Sequence, residues 1–414
     1  MAEAMVGGPV RSHRGGDMTR RTQRWMRLTA VLLVLGLLAA ACGDDDEVAE
    51  PAEAPATTAA PAPEPEEEMA EPEEEMAEEE MAEPEEEMAE EEMAEPEPVD
   101  FGDSVTVNLG HPFPARHPIQ ARALEPWSAL VNEVTGGTVT VEFFAGGALG
   151  PAPQTYENAV SGAADIGWAL QGYTPGRFPV TDVIEMPFTF SSASQATDVL
   201  WTLYEEFEEF QNEYSDVKLL GMWVHDVGDM WIAKGRVDTI SDIDGLTLRA
   251  PSPVQNAVIS ALGGNPVGMP APELYDSLER GVIDGLFIAN SGLSSFNLYE
   301  VLESGVHCNC YVAAQFLAMN LDTWNSLSDA QRAAIDEVSG RVMSMNAAAV
   351  YDAAYESAAE RVVEAGIEKV QLDEAEFAQW RAATQGVIDS WIADNSGNFR
   401  SQEMYDRMLE LAAG

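Results

Sequence analysis

The sequence predicts an α/β protein built on an open sheet, because strand-like and helix-like stretches alternate along it. Residues 104–110 read SVTVNLG, in which apolar side chains alternate with polar ones as they do along a half-buried strand. From residue 119 to 134 the apolar residues recur at intervals of three and four, which is typical of an amphipathic helix, and Gly136-Gly137 ends it. Residues 138–144 alternate again. This strand–helix–strand order implies parallel pairing through a right-handed crossover, so ligands are expected at the carboxyl ends of the strands.

The folded region continues with the same alternation, and a second unit is expected to begin near His225. Ser328 and Gln331 form a capping box in front of residues 329–365, a helical stretch without proline that only Gly340 interrupts. We expect this long helix to brace both units. The remaining strands are expected over residues 164–168, 239–249, 265–269, 282–288 and 315–320, and the remaining helices over 154–161, 252–262 and 272–281.

Charge is spread unevenly along the 414 residues, which carry 72 acidic and 21 basic side chains and a formal net charge of −51. Residues 1–42 carry a net +4, residues 43–100 carry 27 acidic and no basic side chains, and residues 101–414 carry a net −28. Nucleic acid is excluded as the main partner, because backbone phosphates require Lys and Arg. The three cysteines are too few for a disulfide scaffold.

Residues 1–42 have the features of a lipoprotein signal peptide. Arginines between Arg20 and Arg27 precede a largely apolar run of 14 residues, Leu28–Ala41, which is too short to span a hydrocarbon core about 30 Å thick. The run ends in three alanines before Cys42, which resembles a bacterial lipoprotein cleavage site at which Cys42 is acylated. The alternative is an ordinary signal peptide with an incidental cysteine, and Met18 is an alternative start of translation.

Residues 43–100 predict a disordered, acidic tether. They are dominated by Glu, Pro, Ala and Met, and the unit EPEEEMAEEEMA occurs at 71–82 and again at 83–94. Runs of glutamate repel one another and the prolines break any helix, so the segment cannot bury enough surface to offset the entropy of ordering it. A cation-binding tail is the alternative, although nothing in the segment fixes a coordination geometry.

The sequence predicts neither an enzyme nor a cofactor or metal site, because it contains no Walker loop, nucleophile elbow, HExxH or GxGxxG motif. His111 and His117 flank a proline-containing loop after the first strand. A hydrogen bond to the backbone is their expected role, and contact of this loop with a ligand is the alternative. Cys308 and Cys310 are expected to be two buried free thiols. A bridge between residues i and i+2 of one strand is strained, and two thiolates supply only half of a zinc site.

Arg249 is the most informative single charge, since it is one of only 15 basic residues among the 314 of the folded part. It ends the strand-like run Leu246-Thr247-Leu248 and precedes the turn Pro251-Ser252-Pro253, which leads into a helix. A guanidinium at the carboxyl end of a strand, beside a helix N-terminus, is suited to clamp a carboxylate. From the chemistry alone, a surface salt bridge is an equal alternative.

Residues 241–285 resemble the solute-binding proteins of tripartite ATP-independent periplasmic (TRAP) transporters, of the DctP type. The resemblance extends over about residues 104–390. In the first half, the matching residues are Thr135-Gly136-Gly137, Leu149-Gly150, Gly162, Asp165 and Pro187-Phe188. In the second half they are Asp242, Gly245, Arg249, Pro251, Gly263, Pro266, Met269, Glu273, Leu274, Tyr275, Gly281, Asp284 and Gly285.

The resemblance implies a two-lobed fold like that of type II periplasmic binding proteins, with a long helix that touches both lobes. Lobe I is expected to comprise residues 101–225 with about 311–350, and lobe II residues 226–310 with about 351–414. The implied function is capture of a small organic acid between the lobes and delivery to TRAP membrane subunits, outside the cytoplasm, from a lipid anchor at Cys42. The alternative is a sensor lipoprotein that presents the same kind of ligand to a signalling receptor.

The resemblance also assigns site residues. Arg249 corresponds to the family's arginine that pairs with the ligand carboxylate. Asp229 stands where sialic-acid-type members have a second arginine, and Ile288 stands where many members have an asparagine, with Asn290 two residues further on. These departures predict a less cationic and less polar site than that of sugar-acid binders. Ser252 beside Arg249, and three residues that follow a strand of the first lobe, complete the predicted site: Trp168, Gln171 and Tyr173.

The expected ligand follows from these departures. It is a monocarboxylate with an apolar or aromatic body, or a zwitterion whose cationic part faces Asp229. A dicarboxylate is the alternative, because the family commonly binds dicarboxylates.

Overall fold

Two open sheets organise the folded part of the chain, whose structure is a computed structural model that describes residues 99–414. The signal peptide with Cys42 and the acidic segment up to residue 98 lie outside the described residues. The strands are β1 (Val105–Gly110), β2 (Val139–Phe144), β3 (Ile166–Leu170), β4 (Val217–Val224), β5 (Gly228–Ile232), β6 (Thr247–Ala250), β7 (Asn265–Gly268), β8 (Gly285–Ala289), β9 (Ser304–Tyr311), β10 (Ala314–Asn320) and β11 (Glu368–Gln371).

The helices lie on the faces of these sheets and follow the strands in the alternation that the sequence predicts. They are α1 (Glu125–Val134), α2 (Thr155–Ser161), α3 (Ala193–Glu206), α4 (Glu208–Asn212), α5 (Pro253–Ala261), α6 (Leu274–Glu279), α7 (Asn290–Ser295), α8 (Leu321–Ser326), α9 (Asp329–Val338), α10 (Gly340–Glu364), α11 (Glu374–Asn395) and α12 (Ser401–Ala413).

Each sheet forms the centre of one lobe. The sheet of lobe I has the strand order β2-β1-β3-β10-β4, and the sheet of lobe II has the order β11-β9-β5-β8-β6-β7. The predicted parallel pairing is confirmed: β1 pairs in parallel with β2 and β3, while β10 runs antiparallel between β3 and β4. The chain passes between the sheets at residues 225–227 and again at 312–313, where the His225 amide donates to the Ala313 carbonyl at 3.3 Å.

A long helix contacts both lobes, as the resemblance implies. The capping box of Ser328 and Gln331 begins α9 as predicted. The predicted 37-residue stretch is interrupted, however, because Gly340 adopts φ +65°, a left-handed conformation that favours glycine and separates α9 from α10. The 25-residue α10 packs on α3 and β4 of lobe I and on α7 of lobe II.

Three further details differ from the sequence predictions. Residues 240–243 form a 3-10 turn, and the strand begins only at Thr247. The reason is that Asp242 Oδ2 accepts hydrogen bonds from the amide and the hydroxyl of Thr239 and thereby closes a capping box. The strand predicted over 282–288 is displaced to β8. The C-terminal α12 packs on α3 of lobe I, although residues 351–414 were expected in lobe II.

Cys308 and Cys310 are joined by a disulfide, so the prediction of two free thiols is wrong. Strand β9 bulges at this point: Val306 pairs with Met230 and Tyr311 pairs with Gly228, which leaves four residues of β9 opposite one residue of β5. Asn309, at the centre of the bulge, adopts φ +45°. The bulge removes the straight-strand geometry on which the prediction depended, because it brings the two Cα atoms to 4.8 Å.

Between Val99 and Gly414, none of the helices combines the length and the hydrophobicity of a membrane-spanning segment.

Candidate functional site

A cavity lies between the two lobes, at the carboxyl ends of β1, β3, β6 and β8, which is where the strand order predicts a ligand. It encloses about 380 Å³ of space that protein atoms do not fill, part of which is open to solvent. Its walls come from lobe I, from lobe II, from the crossing segment at His225 and from α10. The lining residues are Phe113, His117, Leu170, Tyr173, His225, Arg249, Pro251, Ala271, Ile288, Ala289, Ser291, Gly292, Phe296, Tyr311, Gln315 and Tyr351.

Arg249 is the only lysine or arginine of the described residues that is buried, with 1% of its surface exposed. It lies on β6 between β7 and β8. Its Nε donates to the carbonyl oxygen of Met269 at 2.7 Å and its Nη1 to that of Phe287 at 2.8 Å. These two bonds fix the plane of the guanidinium, and no carboxylate between residues 99 and 414 pairs with its positive charge. The alternative of a surface salt bridge is therefore wrong, and the remaining donors are available to a carboxylate in the cavity.

Aromatic rings belong to seven of the sixteen residues that line the cavity. Tyr311 lies parallel to Phe287 at a centroid distance of 5.8 Å and an interplanar angle of 16°. The ring also rests directly on the backbone of Gly228, where a Cβ atom would lie 2.1 Å from Tyr311 Cε1. Phe113 and Phe296 line the cavity beside His117, with ring centroids 5.1 Å and 6.3 Å from that imidazole. An apolar, flat ligand body fits such a wall better than a polyhydroxylated one.

One polar chain fixes the floor of the cavity. Gln315 Oε1 accepts from the indole nitrogen of Trp168 at 2.8 Å, and Gln315 Nε2 donates to the hydroxyl of Tyr351 at 2.7 Å. Because both ends of the Gln315 amide are engaged, its orientation is set and the Tyr351 hydroxyl retains its own proton for donation.

Two histidines of the cavity are electrically neutral. Burial lowers the pKa of His117 to about 3, with the charges of His111 and His225 acting in the same direction. Burial also lowers the pKa of His225 to about 4, and the charge of Arg249 lowers it further, against a hydrogen bond to the Asp226 backbone that raises it. The cavity therefore presents one cation, and no aspartate or glutamate of the described residues lines it.

Direct contacts join the lobes across the cavity mouth. The amide of Ala271 in lobe II donates to the hydroxyl of Tyr173 in lobe I at 3.0 Å. Glu185 of lobe I accepts twice from lobe II: its carboxylate accepts from the Ser252 hydroxyl, and its carbonyl oxygen accepts from Gln255 Nε2 at 2.9 Å. The structure therefore shows the lobes closed on each other.

The carboxyl group at this junction is strongly perturbed. Burial raises the pKa of Glu185 to about 8, and the nearby charge of Asp182 raises it further, while the hydrogen bond from Ser252 acts to lower it. Burial also raises the pKa of Asp182 to about 7, and the charge of Glu213 adds to this. Glu185 is thus mostly protonated near neutral pH, which makes its contact with Ser252 one between two uncharged groups.

Asp229 does not line the cavity, so the prediction that it faces the ligand disagrees with the structure. Its side chain is completely buried, with Oδ1 accepting from the amides of Cys308 and Asn309 at 2.9 and 3.0 Å. Oδ2 accepts from Asn290 Nδ2 at 3.0 Å and pairs with Lys369 Nζ at 2.7 Å. The β9 bulge supplies the two amides that turn this carboxylate away from the cleft.

The pKa of Asp229 is lowered, although its burial acts to raise it. The hydrogen bond from His307 and the charge of Lys369 outweigh that effect. Asp229 is therefore an ionised structural group that ties β5, β9, β11 and the start of α7 together.

The other predicted site residues divide into two groups. Arg249, Tyr173 and Ile288 line the cavity. The rest lie outside its lining and have structural contacts instead: Trp168 packs behind Phe113, Gln171 bonds to Tyr214, Ser252 caps α5 and bonds to Glu185, and Asn290 bonds to Asp229 and to the Val227 carbonyl.

Sequence reasoning missed several cavity residues. His117 was expected to bond to the backbone, and it does so through Nδ1, but its ring also lines the cavity. Its position after the first strand was a usable signal, because that strand ends at the cleft. His225, Tyr311 and Tyr351 carried no comparable signal, since the crossing segments and α10 reach the cavity only through the arrangement of the two lobes.

Comparison with known proteins finds a matching family model and similar proteins. The family model of bacterial extracellular solute-binding protein, family 7 (DctP), matches residues 109–395, more than two thirds of the chain. A similar relative is the outer membrane transporter protein TsaT of Comamonas testosteroni, 23% identical over 74% of this chain and 92% of that protein.

Two similar solved structures carry bound aromatic acids. One is a TRAP solute-binding protein from a marine metagenome, specific for aromatic acid ligands and crystallised with 3-hydroxybenzoate. It is 27% identical, the match covers 75% of this chain and 99% of that one, and the TM-score is 0.72. The other is a TRAP solute-binding protein from Rhodoferax ferrireducens with copurified benzoate. It is 26% identical, the match covers 75% of this chain and 98% of that one, and the TM-score is 0.71.

Proposed function

The chain belongs to the DctP family of bacterial extracellular solute-binding proteins, family 7, and we propose that it captures an aromatic monocarboxylate between its lobes for delivery to TRAP membrane subunits. The main support for this ligand class is Arg249, a buried guanidinium without a carboxylate partner among the described residues, in a cavity lined in part by aromatic rings. A single bound carboxylate neutralises that charge, and a flat apolar body fills the space between the rings.

The structure disfavours the two other ligand classes considered. A zwitterion lacks its expected counter-charge, because Asp229 is buried against Lys369 and no other carboxylate of the described residues lines the cavity. A dicarboxylate would place its second charge among neutral histidines and tyrosines, where desolvation is not offset by a cation. The aromatic acids bound by two similar structures support the same choice.

The protein acts outside the cytoplasm, as the family does. We propose further that Cys42 anchors it to the cell membrane through lipid and that residues 43–100 give it the reach to meet the membrane subunits. A role as a receptor-coupled sensor has no observation in its favour.

Titration calorimetry with benzoate, succinate and an ectoine-like zwitterion tests the ligand class. We expect benzoate to bind and the other two to bind much more weakly. A thermal-shift measurement provides an independent check, because a ligand at 100 times its Kd adds about 2.7 kcal/mol to the free energy of unfolding. Tight binding of succinate with none of benzoate would refute the ligand class while leaving the family assignment intact.

A further inference from the structure

The backbone holds two histidines of the cavity, His117 and His225, in opposite tautomers. His225 Nδ1 lies 2.6 Å from the carbonyl oxygen of Asp226, and because a carbonyl only accepts, Nδ1 carries the proton and Nε2 presents a lone pair. His117 Nδ1 accepts from the amide of Ile119 at 3.3 Å, so its Nε2 carries the proton. The outer nitrogen of His225 is thus a fixed acceptor, and that of His117 is a fixed donor.

Both outer nitrogens are available to a ligand. Neither Nε2 atom has a hydrogen-bond partner among residues 99–414, and both side chains line the cavity. Both imidazoles pack against Tyr351, with ring centroids 6.1 and 6.2 Å from that ring, and His225 is near enough for its charge to lower the pKa of His117. Their lowered pKa values keep both rings neutral at physiological pH, so the donor and acceptor roles do not change there.

We infer that His117 and His225 recognise a hydroxyl group on the ligand. This inference rests on the function proposed above and narrows it, since the preferred ligand becomes a hydroxylated aromatic monocarboxylate. A hydroxyl is the smallest substituent that donates one hydrogen bond and accepts another, as this pair of nitrogens requires. Arg249 holds the carboxylate, and a hydroxyl on the same ligand meets the two histidines.

The preference for a hydroxylated ligand over its analogues follows from the Nε2 atoms of His117 and His225. An unsubstituted ring covers the lone pair of His225 and the proton of His117 without giving either a partner. A methyl ether accepts from His117 but cannot donate to His225. A site built to hydrogen-bond a hydroxyl rejects analogues that lack it, and one lost bond of this kind weakens binding about tenfold.

Calorimetry on the purified protein tests the inference with matched sets of ligands: benzoate, each hydroxybenzoate isomer and the methyl ether of each isomer. At least one hydroxybenzoate is expected to bind about tenfold more tightly than both benzoate and its own ether. Equal affinities within every set overturn the inference and leave the proposed function standing. Binding of none of these acids overturns both.

A matched pair of variants assigns the effect to His225. His225→Phe keeps a ring but removes the acceptor, so the preference for the hydroxybenzoate over its methyl ether is expected to fall to about onefold. His111→Phe is the control, because His111 is also buried but lies outside the cavity lining and bonds to Gln120 at 2.9 Å. An unchanged preference in His225→Phe overturns the role of His225.

A spectroscopic measurement on the unmodified sequence covers the case in which His225→Phe does not fold. In ¹⁵N-labelled protein the Nε2 resonance of His225 has the position of an unprotonated nitrogen. It is expected to shift on addition of the tightest hydroxybenzoate and not on addition of the corresponding ether. The same shift with both ligands, or with neither, contradicts the inference.

Discussion

Gly172 of lobe I lies against Ser252 of lobe II so closely that a Cβ atom at position 172 would be 2.5 Å from Ser252 Cβ and 2.9 Å from the carbonyl oxygen of Pro251. Real Cβ atoms do not approach other atoms to that distance. Neighbouring contacts fix the same junction, since Tyr173 accepts from the Ala271 amide and Glu185 from the Ser252 hydroxyl. The closed arrangement therefore requires a residue without a side chain at position 172.

Gly172→Ala is expected to weaken ligand binding about tenfold or more, because the added methyl group opposes closure while leaving Arg249 and the cavity wall unchanged. Calorimetry measures the affinity. Small-angle scattering measures closure directly: the parent protein should become more compact with ligand, and the variant should become less so.

Gly386→Ala is the matched control for this substitution. Gly386 lies within α11, and no atom is within 4 Å of a Cβ placed there. The control should bind ligand as the parent does. If Gly172→Ala also binds and compacts like the parent, the contact with Ser252 does not limit closure.

Arg249→Ala is expected to reduce the affinity for an aromatic carboxylate by about 1.5–3 kcal/mol, or roughly 10- to 150-fold, because a charge-assisted hydrogen bond is lost. Arg249→Lys should recover little of this, since an ammonium group cannot replace the planar fork that also bonds to the carbonyls of Met269 and Phe287. Calorimetry measures both effects.

Arg122→Ala serves as the control for loss of one positive charge, because Arg122 is exposed and lies outside the cavity lining. Its affinity should match that of the parent. If the Arg249→Ala and Arg122→Ala variants bind the ligand with equal affinity, Arg249 does not contact the carboxylate.

Much of the fold could be predicted because its determinants are local. The alternation in residues 104–110, the capping box at Ser328 and the turn after Arg249 each act over a few residues, and each leads to the predicted element or site. The exact break at Gly340 was less accessible, since a single glycine within a helical pattern does not by itself reveal a left-handed conformation.

The cavity wall was predicted less completely, because its residues meet only through tertiary structure. Tyr351 is one side chain on a 25-residue helix, and only the packing of α10 against both lobes determines that it faces the ligand. Asp229 shows the opposite case. Its position along the chain suggested the cleft, but a bulge in β9, far away in sequence, supplies the amides that hold it in the interior.

Cys42→Ser is expected to abolish membrane anchoring of the protein. The cleavage pattern before Cys42 predicts acylation of its thiol and of the new N-terminus, and several acyl chains are needed for stable attachment. Fractionation should recover the parent with membranes and the variant as soluble protein or as an uncleaved precursor. If parent and variant are both soluble, the lipoprotein interpretation is wrong.

Asp229→Asn is expected to lower the free energy of unfolding by about 3 kcal/mol, because it removes the buried partner of Lys369 and turns an amide donor toward other donors. Ligand affinity, measured where both proteins are fully folded, should change little, since Asp229 lies outside the cavity lining.

Asp238→Asn is the control: this exposed residue pairs with Arg236 on the surface, where such a pair contributes at most about 1 kcal/mol. Urea unfolding measures both, and a loss of binding without a loss of stability would restore Asp229 to the ligand site.

Glu185→Gln is expected to stabilise the closed protein at alkaline pH and to have little effect at pH 5. The folded protein holds a proton on Glu185 up to a pKa of about 8, whereas the unfolded chain releases it near 4.5. The stabilising contribution of the protonated group is therefore complete below about pH 4.5 and is lost progressively until the pH exceeds about 8.

Glutamine resembles the protonated acid and still accepts from the Ser252 hydroxyl, so the Glu185→Gln variant does not lose this contribution as the pH rises. Comparison of melting temperatures at pH 5 and pH 8.5 removes the contributions of groups that do not interact with Glu185, such as the buried histidines, because both proteins contain them; the effect on Asp182 belongs to the same titrating pair. The variant should melt several degrees above the parent at pH 8.5, and its ligand affinity should decline less between the two pH values, since Glu185 joins the lobes that close on the ligand. A difference in melting temperature that is the same at both pH values would show that Glu185 does not titrate across this range.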